Sequence, residues 1–421
     1  MSAIEYAARF ILKSALGFTV SRRTTRKFQC MQMDSKSSGL HVLSGVNQQP
    51  ASAAETEAED AWVTARQHLS DVEILMQQIT AASGIIGEAA AYHLSAGGKR
   101  WRPLFVLAVG EATGCDAAAI RHLAVATELL HNASLVHDDL IDKDTMRRGK
   151  ETVWQQFGPE TAINLGDFLI TSAYTALAQI RSGDDTVVRL VSCFAESTRR
   201  VIEGQSAEIE ASRSLDTDID DYRRIACGKS GVLMALPVVG ALTLSGASPE
   251  ILSEARQTME WLGVAYQIQD DLFDLFGLKT GRPAGVDLRE GRMSLPIVFY
   301  NLDKGLQDRE NFEKFILSNQ TKNESEVRLW VVRLRRSAAV EKCRDEFDRT
   351  IKKALSHMHE LPAPLRRVIA GGKNMILTKK IREIFGRGST CTFNVLENYS
   401  TVKLTAKTHF TPTLQKSEDF R

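Results

Sequence analysis

The residues best suited to chemistry are six aspartates in two blocks. Asp138-Asp139-Leu140-Ile141-Asp142 and Asp270-Asp271-Leu272-Phe273-Asp274 share one spacing, with first and last carboxylates four residues apart. On a helix that separation puts both on one face. Carboxylates so close repel one another unless cations neutralise them. Hard oxygen donors suit Mg2+, which prefers to be shared between a few carboxylates and substrate phosphates. The two blocks therefore read as metal-bearing helices facing each other across a diphosphate. A single block would be an ordinary solvated acidic turn. Here Leu135, Val136, Ile141, Ile268 and Phe273 set both blocks against a core, where carboxylates are rarely left unpartnered.

A diphosphate needs further cations, and the chain supplies them in short clusters. Gly97-Gly98-Lys99-Arg100-Trp101-Arg102-Pro103 places Lys99 and Arg102 ahead of an apolar helix, with Pro103 suited to its first turn. Arg147-Arg148-Gly149 follows the first block, and guanidinium groups hold phosphate oxygens in pairs. Lys229 and Ser230 lie in Cys227-Gly228-Lys229-Ser230-Gly231, a cation and a hydroxyl opening an apolar helix. After the second block come Lys279, Arg282, Arg289 and Arg292, of which Lys279 and Arg289 read as surface charges.

Helices must position these groups. Leu69, Val72, Leu75, Met76 and Ile79 form one stripe at helical spacing. Leu123, Ala126, Thr127, Leu130 and Ser134 form another, running into the first block. Alternating β-branched runs and Asn-Gly or Asp-Gly hairpin turns are nearly absent. The body reads as all-α, with two aspartate-bearing helices arranged antiparallel around a central cavity. The longest apolar run, 231–247, contains Pro237 and Gly240; it is short for a membrane span and reads as a buried helix with a break.

The ordered set GKRWRP, HNASLVHDDLID, RRG, GDFLITSA, GKSGVL and YQIQDDLFDLFG resembles the trans-isoprenyl diphosphate synthases, most of all the long-chain polyprenyl group that makes quinone side chains. The resemblance spans about Trp62 to Phe385. It implies the all-α isoprenoid synthase bundle, usually dimeric, with Mg2+ on both motifs, adding isopentenyl diphosphate units to an allylic diphosphate. By resemblance, Asp138, Asp139, Asp142, Asp270, Asp271 and Asp274 are metal ligands. Arg147, Lys229, Ser230 and Gln267 meet the allylic diphosphate, with Arg282 and Arg292 at positions where the family usually has lysine. Arg147, Lys229 and Gln267 are the residues expected to act in catalysis. Lys99, Arg102, His131 and Arg148 resemble the isopentenyl diphosphate cradle. Ala133 and Ser134, five and four residues before Asp138, stand where short-chain members commonly carry an aromatic floor. Their small size implies an open tunnel and a long product. A short-chain, geranylgeranyl-type synthase is the alternative. A terpene cyclase is disfavoured by Asp274 and Leu278 in its second motif, and a non-catalytic partner subunit by two intact motifs.

Composition narrows the setting. Fifty-three basic and 52 acidic residues among 421 leave a net charge of +1, with no footprint for nucleic acid. Six scattered cysteines without CxxC spacing read as reduced thiols inside a cell. Residues 1–33 hold Arg9, Lys13, Arg22, Arg23, Arg26 and Lys27 against a single acid, Glu5, before Asp34, and resemble a mitochondrial transit peptide. The expected order is a transit peptide at 1–33, a disordered linker at 34–60, a catalytic domain at 61–385 and a poorly ordered extension at 386–421. Expected partners are the two diphosphates, a second copy or a related subunit, and a membrane touched peripherally at product release.

Overall fold

The computed structural model describes residues 53–385 apart from 280, 281, 304–308, 319, 320 and 379. The transit-peptide and C-terminal-extension segments lie outside the described residues. Helix α1 (Ala53–Gln67) starts eight residues ahead of the expected domain boundary at 61. The linker assigned to 34–60 is thus helical from Ala53. Ala58, Ala61, Trp62 and Ala65 are buried. That stripe is built mostly from methyl groups, so it carries helical spacing but little hydrophobic signal. Trp62 meets the Phe105 ring edge-on at 5.1 Å and donates Nε1–H to the Val368 carbonyl at 3.0 Å.

Helices α2 (Leu69–Ile79), α3 (Gly84–Ser95) and α4 (Trp101–Ala112) follow. Helix α5 (Ala117–Ile141) is capped by Asp116, whose carboxylate accepts from the N–H groups of Ala118 and Ala119. A two-stranded hairpin, β1 (Met146–Arg147) and β2 (Lys150–Glu151), is a small addition to the all-α expectation. Arg148 and Gly149 turn it at φ 53° and 80°, the paired left-handed geometry of a tight hairpin. Next come α6 (Val153–Phe157), α7 (Pro159–Ala178), α8 (Asp184–Ala211) and α9 (Ile219–Ala226). A π turn at Cys227–Gly231 leads into α10 (Val232–Leu244), and α11 (Pro249–Phe276) follows. The chain then runs through α12 (Val286–Glu290), α13 (Leu295–Asn301), α14 (Arg309–Ile316), α15 (Glu324–Arg336), α16 (Ala339–Glu360), α17 (Ala363–Gly371), α18 (Lys373–Ile376) and α19 (Ile381–Phe385).

Helix α10 is the axis of the bundle. It is apolar on every side, buried from Val232 to Thr243, and packs against α4, α5, α8 and α11. Helix α5 packs chiefly on α7, and α11 on α16. Both motifs sit at helix C-terminal ends, on α5 and α11. The segment Ile219–Leu244 is long and apolar enough to cross a membrane, yet 72% of its apolar window is buried inside the fold. The expected break at Pro237–Gly240 is absent, because α10 runs through Pro237. The irregularity comes earlier, at the π turn. A Cβ on Gly204 would lie 2.9 Å from the Gly228 Cα, and one on Gly263 only 2.4 Å from the Gly231 Cα. These glycine pairs let backbone meet backbone, so the π turn wedges between α8 and α11.

Candidate active site

At the first motif, Asp139 is buried, and both of its carboxylate oxygens lie 2.7 Å from Arg147 Nε, sharing its one N–H. Asp142 caps α5 and lies 2.9 Å from Arg292 Nη2. Asp144, just beyond the motif, receives Arg282. Burial pushes the Asp138 carboxyl up to about 6, against the pull of the Lys229 ammonium. Burial also raises Asp142, opposed by Arg292 and Lys229. Lys229 pairs with Glu208 of α8. The close Gly204–Gly228 approach explains this, since it draws the π turn onto the helix that carries Glu208. Glu208 is a site residue the sequence reading missed.

At the second motif, Asp271 is buried and fully engaged. Its Oδ2 accepts from the Tyr222 hydroxyl at 2.7 Å and from the Leu295 N–H at 2.9 Å, and its Oδ1 from Gln267 Nε2 at 2.8 Å. The Ser230 hydroxyl donates to Gln267 Oε1 at 2.7 Å, joining the π turn to this network. Burial still holds Asp271 up at about 6. Asp274 Oδ2 accepts from the Asp287 N–H at 3.1 Å, while its Oδ1 is buried with no hydrogen-bond partner among the described residues. Lys279 is not the surface charge expected from sequence. Its Nζ lies 2.8 Å from Asp270 Oδ2, and its side chain is 18% exposed. Burial works against that ammonium, but Asp270, Asp287 and Asp274 raise its pKa. Arg289 does lie toward the outside, 2.6 Å from Glu324. Arg292 and Lys229 line the small cavity at the second motif together with Gln267, Asp270 and Asp271. As each also acts on Asp142, the two motifs share one cationic neighbourhood.

Among the described residues no three His, Cys, Asp or Glu side chains converge as a preformed metal position. The carboxylates are held instead by side-chain cations. The donor set still fits Mg2+: hard oxygens throughout, with Asp138 and Asp271 raised in pKa by burial and one buried oxygen of Asp274 without a hydrogen-bond partner among the described residues.

The second cation set forms around the loop ahead of α4. Arg148 donates to the Gly97 carbonyl, tying the hairpin to this loop. Arg102 lies over the Trp101 ring at 4.1 Å, and Lys99 is exposed beside it. Burial, then Arg102 and Arg148, drive the His131 imidazole well below its ordinary pKa, so it is neutral; its Nδ1 is buried without a hydrogen-bond partner among the described residues. Beneath this set runs a buried chain that the sequence reading missed. Arg100, at φ 47°, meets Glu73 at 2.5 Å and Glu128 at 2.9 Å. Asn132 Nδ2 donates to Glu128 Oε1 at 3.1 Å, and Asn132 Oδ1 faces His93 Nε2 at 3.1 Å. Arg100 is thus a structural ion, while Arg102 and Lys99 remain available.

An apolar cavity of about 280 Å³ opens beside Asp138 between α5, α7 and α8. Ala133 and Ser134 stand on its wall, with Leu130, Ile170, Val201 and Leu233, and among the described residues no Phe, Tyr or Trp lines it. The arrangement is a charged head site joined to an apolar tail site.

Comparison with known proteins agrees with that chemistry. Residues 83–333 match the polyprenyl synthetase family. A heptaprenyl diphosphate synthase component 2 from Geobacillus stearothermophilus is 31% identical over 69% of this chain and 88% of its own length. A geranylgeranyl pyrophosphate synthase from Geoglobus acetivorans is 33% identical over 65% of this chain and 85% of its own. A chloroplastic solanesyl diphosphate synthase from Arabidopsis thaliana is 31% identical over 69% and 75%. Among solved structures, a Caulobacter crescentus polyprenyl synthase complexed with calcium and isoprenyl diphosphate superposes with a TM-score of 0.68, at 25% identity, over 76% of this chain and 97% of that one. With a family match over more than half its length and a cleft that pairs carboxylates and cations with an apolar pocket, this chain belongs to the polyprenyl synthetase family and is a prenyltransferase whose substrates are isoprenyl diphosphates.

Proposed function

We propose that this chain is a long-chain trans-polyprenyl diphosphate synthase that serves the ubiquinone side chain. The observation that carries the reading is the apolar cavity at Asp138, with Ala133 and Ser134 on its wall and no Phe, Tyr or Trp among the described residues that line it. A tail extending from the head site meets mostly small and aliphatic groups, with His137, Thr198 and Gln205 as the larger polar ones beside Asp138. Sizing the products formed from isopentenyl diphosphate and an allylic primer tests it.

In this reading Asp138, Asp139, Asp142, Asp270, Asp271 and Asp274 hold Mg2+, which supplies Lewis-acid stabilisation of the departing diphosphate. Arg147, Lys229, Arg282 and Arg292 add positive charge to the same group, and Gln267 and Ser230 orient it by hydrogen bonds. As the allylic C–O bond breaks, its electrons leave with the diphosphate and a delocalised carbocation remains, which the apolar cavity shields from water. Lys99, Arg102, His131 and Arg148 hold isopentenyl diphosphate so that its double bond attacks that cation. The neutral His131, with one unengaged nitrogen, suits a phosphate oxygen. The proton lost afterwards goes to the released diphosphate. Residues 1–33 direct the protein to mitochondria, and a second copy or a related subunit completes the enzyme. The likeness to a protein called a heptaprenyl synthase component 2 supports keeping the related subunit in view. A membrane is touched peripherally when the long product leaves.

A further inference from the structure

Proline inside a helix removes one N–H, so the carbonyl four residues earlier loses its helical partner. In α10 that proline is Pro237 and the freed carbonyl belongs to Leu233. A buried carbonyl without a donor is unfavourable, and here the donor comes from another helix: Arg102 Nε reaches the Leu233 oxygen at 3.3 Å. The Trp101 ring lies against the same guanidinium at 4.1 Å. Arg102 is thus held between a ring and a carbonyl, with its two Nη groups left for other acceptors. Leu233 also lines the apolar cavity, and its helix continues directly from the π turn that carries Lys229 and Ser230. One turn of α10 therefore touches both the cation loop and the tail site.

We propose that Pro237 is a positioning residue for the isopentenyl diphosphate cradle: by withholding a backbone N–H it reserves the Leu233 carbonyl for Arg102, and so fixes that guanidinium relative to the cavity. The proposal rests on the reading of Arg102 as a contact for isopentenyl diphosphate. An alanine at 237 restores the helical N–H, which competes with Arg102 for the same oxygen. The helix then gains a hydrogen bond while the cradle loses its anchor, so stability and substrate affinity move in opposite directions. No purely structural role for Pro237 produces that pairing.

The test is a cycle of Pro237→Ala, Arg102→Ala and the double variant in the full-length enzyme. Pro237→Ala is expected to raise KM for isopentenyl diphosphate about tenfold, leave KM for the allylic primer within about twofold, and leave the melting temperature unchanged or higher. In the Arg102→Ala background the same substitution should have no further effect on KM. Unchanged KM in Pro237→Ala, or an equal rise for both substrates, would overturn the proposal. So would an undiminished effect without Arg102, or a loss of folding, because the account requires the helix to be strengthened. If Arg102→Ala alone leaves KM for isopentenyl diphosphate untouched, the cradle reading fails and Pro237 has nothing to position. A response to Arg102→Ala without one to Pro237→Ala removes the positioning claim alone.

Discussion

Lys279 Nζ lies 2.8 Å from Asp270 Oδ2 and 4.0 Å from Asp274 Oδ1, so the second aspartate motif carries its own ammonium. Arg147 on Asp139 and Arg292 on Asp142 do the same for the first motif. Side-chain cations thus pair with carboxylates that the proposed function assigns to Mg2+. In the proposed function those cations would turn to the phosphate oxygens once metal neutralised the carboxylates. Lys279→Ala should therefore lower kcat/KM for the allylic primer by about 10- to 100-fold, the loss of one charge-assisted contact to the leaving group. Arg289→Ala, whose partner is Glu324, should stay within about twofold. Steady-state kinetics on the pair checks this; equal, small effects would mean that Lys279 does not act on the diphosphate.

The aspartates proposed to hold the metal should matter more. Asp138→Ala or Asp270→Ala should each lower turnover by at least ~10²-fold, corresponding to a few kcal/mol of transition-state stabilisation. Circular dichroism serves as the folding control. Near-normal turnover in either folded variant contradicts a two-motif metal site.

His93 gives a prediction about pH. Burial above all, then Arg148 and Arg147, lowers its pKa from 6.5 to about 3. The unfolded chain gains this proton as pH falls through about 6.5, whereas the folded chain resists until about 3. The stability that rests on a neutral His93 is complete above pH 6.5 and shrinks as pH drops towards 3. His93→Gln keeps a donor for Asn132 but cannot titrate. It should lose less melting temperature than wild type between pH 7 and pH 5, in parallel scans. An identical slope would mean that His93 is not the group responsible.

The start of the folded domain can be tested by truncation. A chain beginning at Ala53 should fold and turn over as the full chain does. Trp62→Ala in that chain should destabilise by about 3–5 kcal/mol, the range for removing a large buried aromatic. Denaturant unfolding measures it, and a loss under about 1 kcal/mol would show that α1 contributes little.

Much of the site was legible in the sequence because its parts are local. The aspartate blocks, the Gly97–Pro103 loop and Arg147-Arg148-Gly149 each carry their chemistry within a few residues, and the stripe from Leu123 to Ser134 runs straight into the first block. What was hidden depends on approach between distant segments. Glu208 matters because two glycines bring α8 against the π turn, and Tyr222 because its hydroxyl reaches Asp271. Lys279 looked like a surface charge because nothing in its neighbours signals that the chain folds back on its own motif. Ala53 to Asp60 looked like linker because alanine supplies helical spacing with little apolar area. Proline in the apolar run suggested a break, since sequence does not reveal that Arg102 meets the freed carbonyl.

In the proposed function the cavity beside Asp138 sets a long product. Ala133 is 1% exposed and stands about one and a half helical turns before Asp138, on the cavity wall. A phenyl ring there would cross the path of the tail while leaving the carboxylates in place. The overpacking should destabilise by about 1–3 kcal/mol, so folding is checked alongside. The direct measurement is chromatographic sizing of dephosphorylated products from wild type and Ala133→Phe, each given isopentenyl diphosphate, an allylic primer and Mg2+. The account predicts long chains from wild type and products of only a few isoprene units from a folded, active Ala133→Phe. Short products from wild type, or an unchanged long product from the folded variant, would contradict it.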